Sequence, residues 1–354
     1  MAIITVIGAG MMGSAIIFPA AENGHTIRIV GTPLDKDIIE HARATGEHLT
    51  LRRKMPHGIS YYTYEEFDKA LAGAELLVSG VSSFGLDWFI SEVIPRIPED
   101  LPVLSVTKGM MHIGGGKLLS YPEVFEGSTD KRICFMAVGG PCTSYELADR
   151  DPTEVTFCGR DTEKLRWARG LFECDYYHVS LSTDVRGVEC AVAMKNAYAL
   201  GVSLAIGLSY KREGAQKEHY NSEAALFGQA VREMTRLMDI CDGDPYHLPL
   251  GIGDLYVTVF GGRTRRIGIL LGEGMSFEDA MKELNGGTLE SIVISTRTAD
   301  AVRALIESGR EKEEHFPLLL HIDSLINGTN TVNIPWRAFE SEFFAQAAAD
   351  GGIL

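Results

Sequence analysis

Three stretches of the sequence place cations where charge is costly, and each offers chemistry. LSVTKGM sets Lys108 just past the apolar run Val103–Val106. In VECAVAMKNAYALGVSLAIGL (residues 188–208), Lys195 and Asn196 interrupt a run dense in Ala, Val and Leu. A lysine in such a helix must snorkel out, pair with an acid or line a cavity. Desolvation pulls a lysine pKa down, which suits it to proton transfer near neutral pH. In GIGDLYVTVFGGRTRRIG (residues 251–268), Asp254 and Thr258 stand four apart and share one face if the segment is helical. Two glycines then present Arg263, Arg265 and Arg266, and the planar arginine fork matches a phosphate. Plainer readings exist for each: a solvated turn for Lys108, a structural ion pair with Glu189 or Asp254 for Lys195, and an exposed basic turn for the arginines.

A fourth stretch, MAIITVIGAGMMGSAIIFPAAENG, supplies a glycine loop. Gly8, Gly10 and Gly13 follow the apolar run Ile3–Ile7 and open a helical pattern over Met12–Asn23. In a strand–turn–helix setting this spacing points to a dinucleotide. The first glycine makes the tight turn, the second lets backbone approach a pyrophosphate, and the third lets helix and sheet pack closely. NAD recognition further expects an acid at the end of the second strand. That strand, Thr26–Val30, runs into Gly31, Thr32 and Pro33, with no carboxylate before Asp35. Strict NAD preference is therefore unsupported. Arg52, Arg53 and Lys54 are either a clamp for a 2′-phosphate or a solvated basic turn.

The elements that must position these residues alternate in the first half. Leu76–Val81, Val103–Val106 and Ile133–Val138 are short apolar runs like Ile3–Ile7, and Glu154–Phe157 and Tyr177–Val179 continue the series. Continuous apolar strands separated by helices fit a parallel sheet covered on both faces. Beyond residue 186 the texture becomes helical: Val188–Leu208, Glu223–Asp239, Phe277–Leu284 and Ser295–Ser308, with SYKREGAQKEHYNS read as a loop. The expectation is an α/β protein: an N-terminal Rossmann-type doubly wound sheet over 1–186, then a mostly α-helical C-terminal domain over 187–354.

Composition narrows the classes. The chain has 354 residues, 45% hydrophobic and 23% charged, with a formal net charge of −15. That balance argues against nucleic-acid or anionic-membrane partners but not against an anionic small substrate held by local cations. No apolar run reaches about 18 residues, so no transmembrane helix is expected, and no signal-like N-terminus is seen. Six cysteines lack CxxC spacing and read as free thiols of a reducing compartment. No metal-ligand spacing is present. The expected setting is the cytoplasm.

In their order, GxGxxG, VSSFG (Val81–Gly85), VTKGM, GGPCTSYELADRDPTEVTF, GVECAVAMKNAYAL and GIGDLYVTVFGGRTRRIG resemble the NAD(P)-dependent sn-glycerol-3-phosphate dehydrogenases, from residue 3 to about 330. The resemblance implies a Rossmann domain and a helical domain with substrate in the cleft between them. It implies interconversion of dihydroxyacetone phosphate and sn-glycerol 3-phosphate with NAD or NADP, and a small phosphorylated substrate as partner; the apolar helical half leaves room for a homodimer. Carried over by motif, Lys195 exchanges the proton of the substrate C2 oxygen, Asp254 orients Lys195, and Lys108 binds and polarises substrate. Asn196, Thr258, Arg263 and Thr264 complete the substrate pocket, with Arg263 on the phosphate. Gly8, Gly10, Met11, Met12, Gly13, Ser82, Phe84, Lys108, Arg263 and Glu290 (in NGGTLES) fall on the cofactor side. Departures gather at the substrate end. Thr264 stands where the family has Asn, Gln229 where Arg is usual, Cys142-Thr143-Ser144 follow Gly140-Pro141, and a short insertion follows Glu290. They leave room for another polyol phosphate, a hydroxy acid or an opine-type substrate. A non-catalytic NAD(P)-binding sensor is the reading from another class, and the retained Lys195 and Asp254 speak against it.

Overall fold

In the computed structural model, which describes residues 1–214, 217, 219–284 and 289–340, the strands are β1 (Ile3–Ile7), β2 (Thr26–Val30), β3 (Ser60–Tyr62), β4 (Leu76–Ser79), β5 (Val103–Ser105), β6 (Met110–His112), β7 (Leu118–Ser120), β8 (Phe135–Gly139), β9 (Thr153–Gly159) and β10 (Tyr177–Ser182). The central strands β1, β4, β5 and β8 form where the sequence runs largely apolar on both faces, while β2, β3 and β10 carry exposed or partly exposed polar positions. Eight make one sheet in the order β10-β9-β8-β5-β4-β1-β2-β3. From β3 through β8 every neighbouring pair is parallel, as expected for a doubly wound sheet. β9 runs antiparallel to β8, and β10 runs parallel to β9, so the last two strands reverse the sheet's direction. Apolar composition does not encode that reversal.

The chain forms two compact units. Unit 1 comprises Met1–Gly109 and Ser120–Glu189; unit 2 comprises Met110–Leu119 and the chain from Cys190 onward. Unit 1 holds the eight-stranded sheet, with a core that includes Ile4, Val6, Ile29, Val78, Leu104, Met136 and Phe157. Residues 110–119 fall within the 1–186 domain expected from the sequence. The β6–β7 ribbon instead belongs to unit 2, where a Cβ on Gly116 would lie 2.5 Å from Leu305 Cγ.

Unit 2 is helical apart from that ribbon among the described residues. The run read as Val188–Leu208 is two helices, Val185–Ala193 and Lys195–Glu213, divided at Met194. By length and composition the run Val185–Glu213 suits a membrane span, contrary to the expectation from apolar run length. Its most apolar window is 83% buried in the protein, the pattern of a core helix. The helices Leu248–Val259 and Gly262–Glu273 both pack on Lys195–Glu213. Close approach to the second is allowed by missing side chains: a Cβ on Gly207 would sit 2.0 Å from Ile269 O.

The loop read over SYKREGAQKEHYNS is shorter than its polarity suggests. Helix continues to Glu213, and the next runs Tyr220–Ile240. Polar residues there occupy exposed helix ends, where a solvated face carries no apolar period. Ala215, Gln216 and Glu218 of that stretch, Asn285–Thr288 of the NGGTLES motif, and residues 341–354 lie outside the described residues.

Candidate active site

In unit 1 the glycine loop has the form its spacing predicts. Gly8 adopts φ +103°, a left-handed conformation that side chains rarely take. A Cβ on Gly13 would lie 2.4 Å from Gly8 O, so only glycine lets this helix sit so close to the loop. Gly10 differs: no atom lies within 4 Å of its absent Cβ. Backbone facing open space is what an approaching pyrophosphate requires, so the loop fits a dinucleotide. Helix follows as Met11–Ala15 and Ile17–Glu22, broken at Ile16 rather than continuous from Met12 to Asn23. Met11 is exposed and Met12 partly so. Ser82 and Phe84, expected beside the cofactor, are both exposed in the turn after β4.

Lys108 lies beyond the carboxyl end of β5 and donates from Nζ to Gly140 O at 2.5 Å. It lines a small pocket with Met12, Ile16, Val106, Val138, Cys142 and Tyr177. The strand-end lysine and the helix after the glycine loop therefore share a cavity within unit 1. Sequence reasoning separates them by nearly a hundred residues. Glu189 is fully buried in the same unit, and among the described residues neither carboxyl oxygen has a donor within hydrogen-bonding distance and angle. Burial pushes its pKa up to about 8, against opposing pulls from the Gly109 backbone and the Lys108 charge. Sequence reasoning weighed Glu189 only as a partner for Lys195.

In unit 2, Lys195 is the first residue of its helix and pairs through Nζ with Asp254 Oδ1. The aspartate side chain is fully buried and the lysine side chain 14% exposed. The choice between Glu189 and Asp254 is thereby settled in favour of Asp254. A charged pair so desolvated needs tight geometry to persist, and the lysine's remaining exposure leaves one side open to a small molecule. Asn196, next in the helix, is partly buried. The segment 251–258 is helical, as the Asp254–Thr258 spacing anticipates, and Thr258 Oγ1 donates back to Asp254 O at 2.6 Å. Arg263 is in the first turn of Gly262–Glu273, exposed and without an ion pair among the described residues. Thr264 beside it is partly buried. Arg266 pairs with Glu283 at 3.0 Å, so the arginine triplet is not one uniform basic turn. Glu290 opens the helix Glu290–Glu307.

Gln229, at a position where the resemblance leads one to expect arginine, is buried in a polar network. It donates to Glu233 Oε1 at 3.0 Å and accepts from Arg232 at 2.8 Å. Of the basic cluster after β2, Arg53 forms a forked pair with Asp149 at 2.6 and 2.8 Å. That partner favours the structural reading of Arg53 over a phosphate clamp. Among the described residues no group of three or more His, Cys, Asp or Glu is arranged to hold a metal, and the six cysteines form no disulfide.

Comparison with known proteins bears on both units. Family models described as the N-terminus and C-terminus of NAD-dependent glycerol-3-phosphate dehydrogenase match residues 3–165 and 184–335. The NADP(+)-dependent glycerol-3-phosphate dehydrogenase of Archaeoglobus fulgidus is 33% identical over 285 residues, covering 80% of this chain and 83% of that protein. The glycerol-3-phosphate dehydrogenase [NAD(P)+] of Shouchella clausii is 30% identical over 308 residues, 86% of each. In fold, the crystal structure of glycerol-3-phosphate dehydrogenase from Coxiella burnetii superposes with a TM-score of 0.79 at 23% identity, over 96% of this chain and 98% of that one.

Proposed function

Because the chain belongs to the NAD-dependent glycerol-3-phosphate dehydrogenase family, we propose that its named side chains divide the work of reducing a phosphorylated ketone. The protein is an NAD(P)-dependent oxidoreductase acting on a CH–OH group, and it interconverts dihydroxyacetone phosphate and sn-glycerol 3-phosphate. The observation that carries the assignment of roles is the buried Lys195–Asp254 pair.

A bound nicotinamide supplies or accepts the hydride. In the reducing direction negative charge develops on the substrate C2 oxygen, and Lys195 Nζ donates its proton there. Asp254 holds that ammonium in place and keeps it charged until the proton leaves. General acid catalysis of this kind contributes roughly 10²–10⁴-fold. Lys108 binds and polarises substrate through its own positive charge. Such preorganised stabilisation supplies about 3–4 kcal/mol per key group. Arg263 grips the phosphate, so binding far from the reacting carbon orients it. Asn196, Thr258 and Thr264 complete the polar wall. Gly8, Gly10, Met11, Met12 and Gly13 would hold the pyrophosphate of a bound dinucleotide, and Ser82, Phe84 and Glu290 would contribute further cofactor contacts.

The experiment follows absorbance of the reduced nicotinamide with NADH and NADPH against dihydroxyacetone phosphate, dihydroxyacetone, hydroxy-acid precursors and related ketose phosphates. Turnover confined to phosphorylated ketones is expected. Equal turnover of dihydroxyacetone and its phosphate contradicts the role of Arg263. No oxidation with any ketone favours a non-catalytic sensor. The same titration reads the preference between NAD and NADP. A cytoplasmic homodimer completes the proposal, supported by the free thiols and by exposed aromatic residues Tyr256 and Phe260, whose rings meet edge to face at 4.8 Å. Light scattering of the purified chain tests the dimer.

A further inference from the structure

We propose that Asp35 and His48 are positioning residues for the dinucleotide, holding the Ala9 peptide of the glycine loop from both sides. This rests on the reading of that loop as the dinucleotide site. Ala9 N–H donates to Asp35 Oδ2 at 3.1 Å. The same oxygen accepts from Thr32 N–H at 2.8 Å and from Thr32 Oγ1 at 2.7 Å. On the opposite side, Ala9 C=O is 2.8 Å from His48 Nε2. The His48 ring is 2% exposed, and its Nδ1 accepts the Leu51 N–H at 3.0 Å. A ring nitrogen that accepts a backbone N–H carries no proton, so the proton of the neutral imidazole is on Nε2, directed at Ala9.

The location gives the clamp its purpose. Ala9 is flanked by Gly8 and Gly10, the two residues with the widest backbone freedom in the loop. Its peptide is where the loop would otherwise be loosest. A loop fixed in one shape before the ligand arrives does not lose that freedom on binding, which raises affinity without a new contact to the ligand. The arrangement also accounts for the unusual end of β2. Asp35, the first acid after that strand, faces into the loop through Oδ2 and serves its shape. Neither partner was legible as such: His48 is 39 residues from Ala9, in a segment without strand or helix periodicity.

The test compares wild type with His48→Phe, His48→Gln and Asp35→Ala in the full chain. It measures NADH and NADPH dissociation constants, steady-state kinetics with dihydroxyacetone phosphate, and thermal melting without ligand. His48→Phe and Asp35→Ala are expected to raise Kd and KM for the dinucleotide roughly tenfold, as loss of a buried hydrogen bond does, with a smaller change in kcat. His48→Gln keeps an N–H donor and is expected to recover most of the affinity. If wild type binds a dinucleotide and both disruptive variants bind it equally well, the clamp is overturned while the loop keeps its role. If wild type binds neither NADH nor NADPH, the reading of the loop itself fails. Should the disruptive variants not fold, Thr32→Val removes one donor to Asp35 at similar volume. Dinucleotide binding about two- to fivefold weaker then supports the clamp, and unchanged binding overturns it.

Discussion

Two glutamates, one in each unit, are fully buried and differ in everything else. In unit 2, Glu233 accepts from the Leu318 and Leu319 N–H groups at 2.7 and 2.9 Å, from Tyr198 OH at 3.0 Å and from Gln229 at 3.0 Å. It caps the helix Pro317–Ile326 and ties it to Tyr220–Ile240. In unit 1, Glu189 has no donor in hydrogen-bonding geometry among the described residues. Burial raises both, to about 7 for Glu233 against its four donors and to about 8 for Glu189. Burial alone therefore does not say what a carboxyl is for; the partner set does. A buried acid with every lone pair used is architecture. One left unsatisfied beside the strand-end lysine costs stability, and such groups gather where chemistry is done.

The largest effect that could break this contrast is Glu233→Ala. It strands two helix N–H groups and a tyrosine hydroxyl, and should cost about 3–5 kcal/mol of unfolding free energy by denaturant titration. A cost below about 1 kcal/mol would mean that the four bonds are replaceable. Glu189→Gln should behave oppositely. With a folded pKa above the unfolded value, the native state holds a proton that the unfolded state releases between about pH 4.5 and 8. Wild-type stability from this group is complete below that window and falls as pH rises through it. Glutamine removes the slope, so the variant should approach wild type near pH 4.5 and exceed it by about 4 kcal/mol at pH 8.5. Denaturation midpoints at the two pH values check this, and an unchanged slope refutes it.

The smaller effects sharpen the same contrast with arginines. Arg303 pairs with the buried Asp323, whereas Arg263 is exposed with no ion pair among the described residues. Arg303→Ala should destabilise by about 1–3 kcal/mol, because it leaves a buried carboxylate short of its cation. Arg263→Ala should change stability by less than about 0.5 kcal/mol while raising KM for dihydroxyacetone phosphate. A matching rise for an unphosphorylated ketone would remove its phosphate role.

How much was legible follows from which forces are local. β1, β4, β5 and β8 announce themselves because a strand covered on both faces must be largely apolar. The glycine loop is equally plain, since Gly8 and Gly13 answer to backbone sterics that only glycine meets. Lys195 stands out as a cation within an apolar run, and Asp254 through its four-residue spacing to Thr258. What stayed hidden depends on distant partners. The reversed direction of β9, the β6–β7 ribbon joining unit 2, the Asp35–Ala9–His48 bonds and the missing donors around Glu189 are all set by residues far apart in sequence. Arg53 illustrates the limit: its basic neighbours suggested a phosphate, and Asp149, 96 residues away, accounts for it.

The proton-transfer role is tested most directly by a single-turnover measurement on Lys195→Met loaded with reduced dinucleotide and mixed with dihydroxyacetone phosphate. The account predicts dinucleotide binding within about threefold of wild type and nicotinamide oxidation at least roughly a hundredfold slower. Oxidation within about tenfold of wild type would contradict it and move the proton to another group.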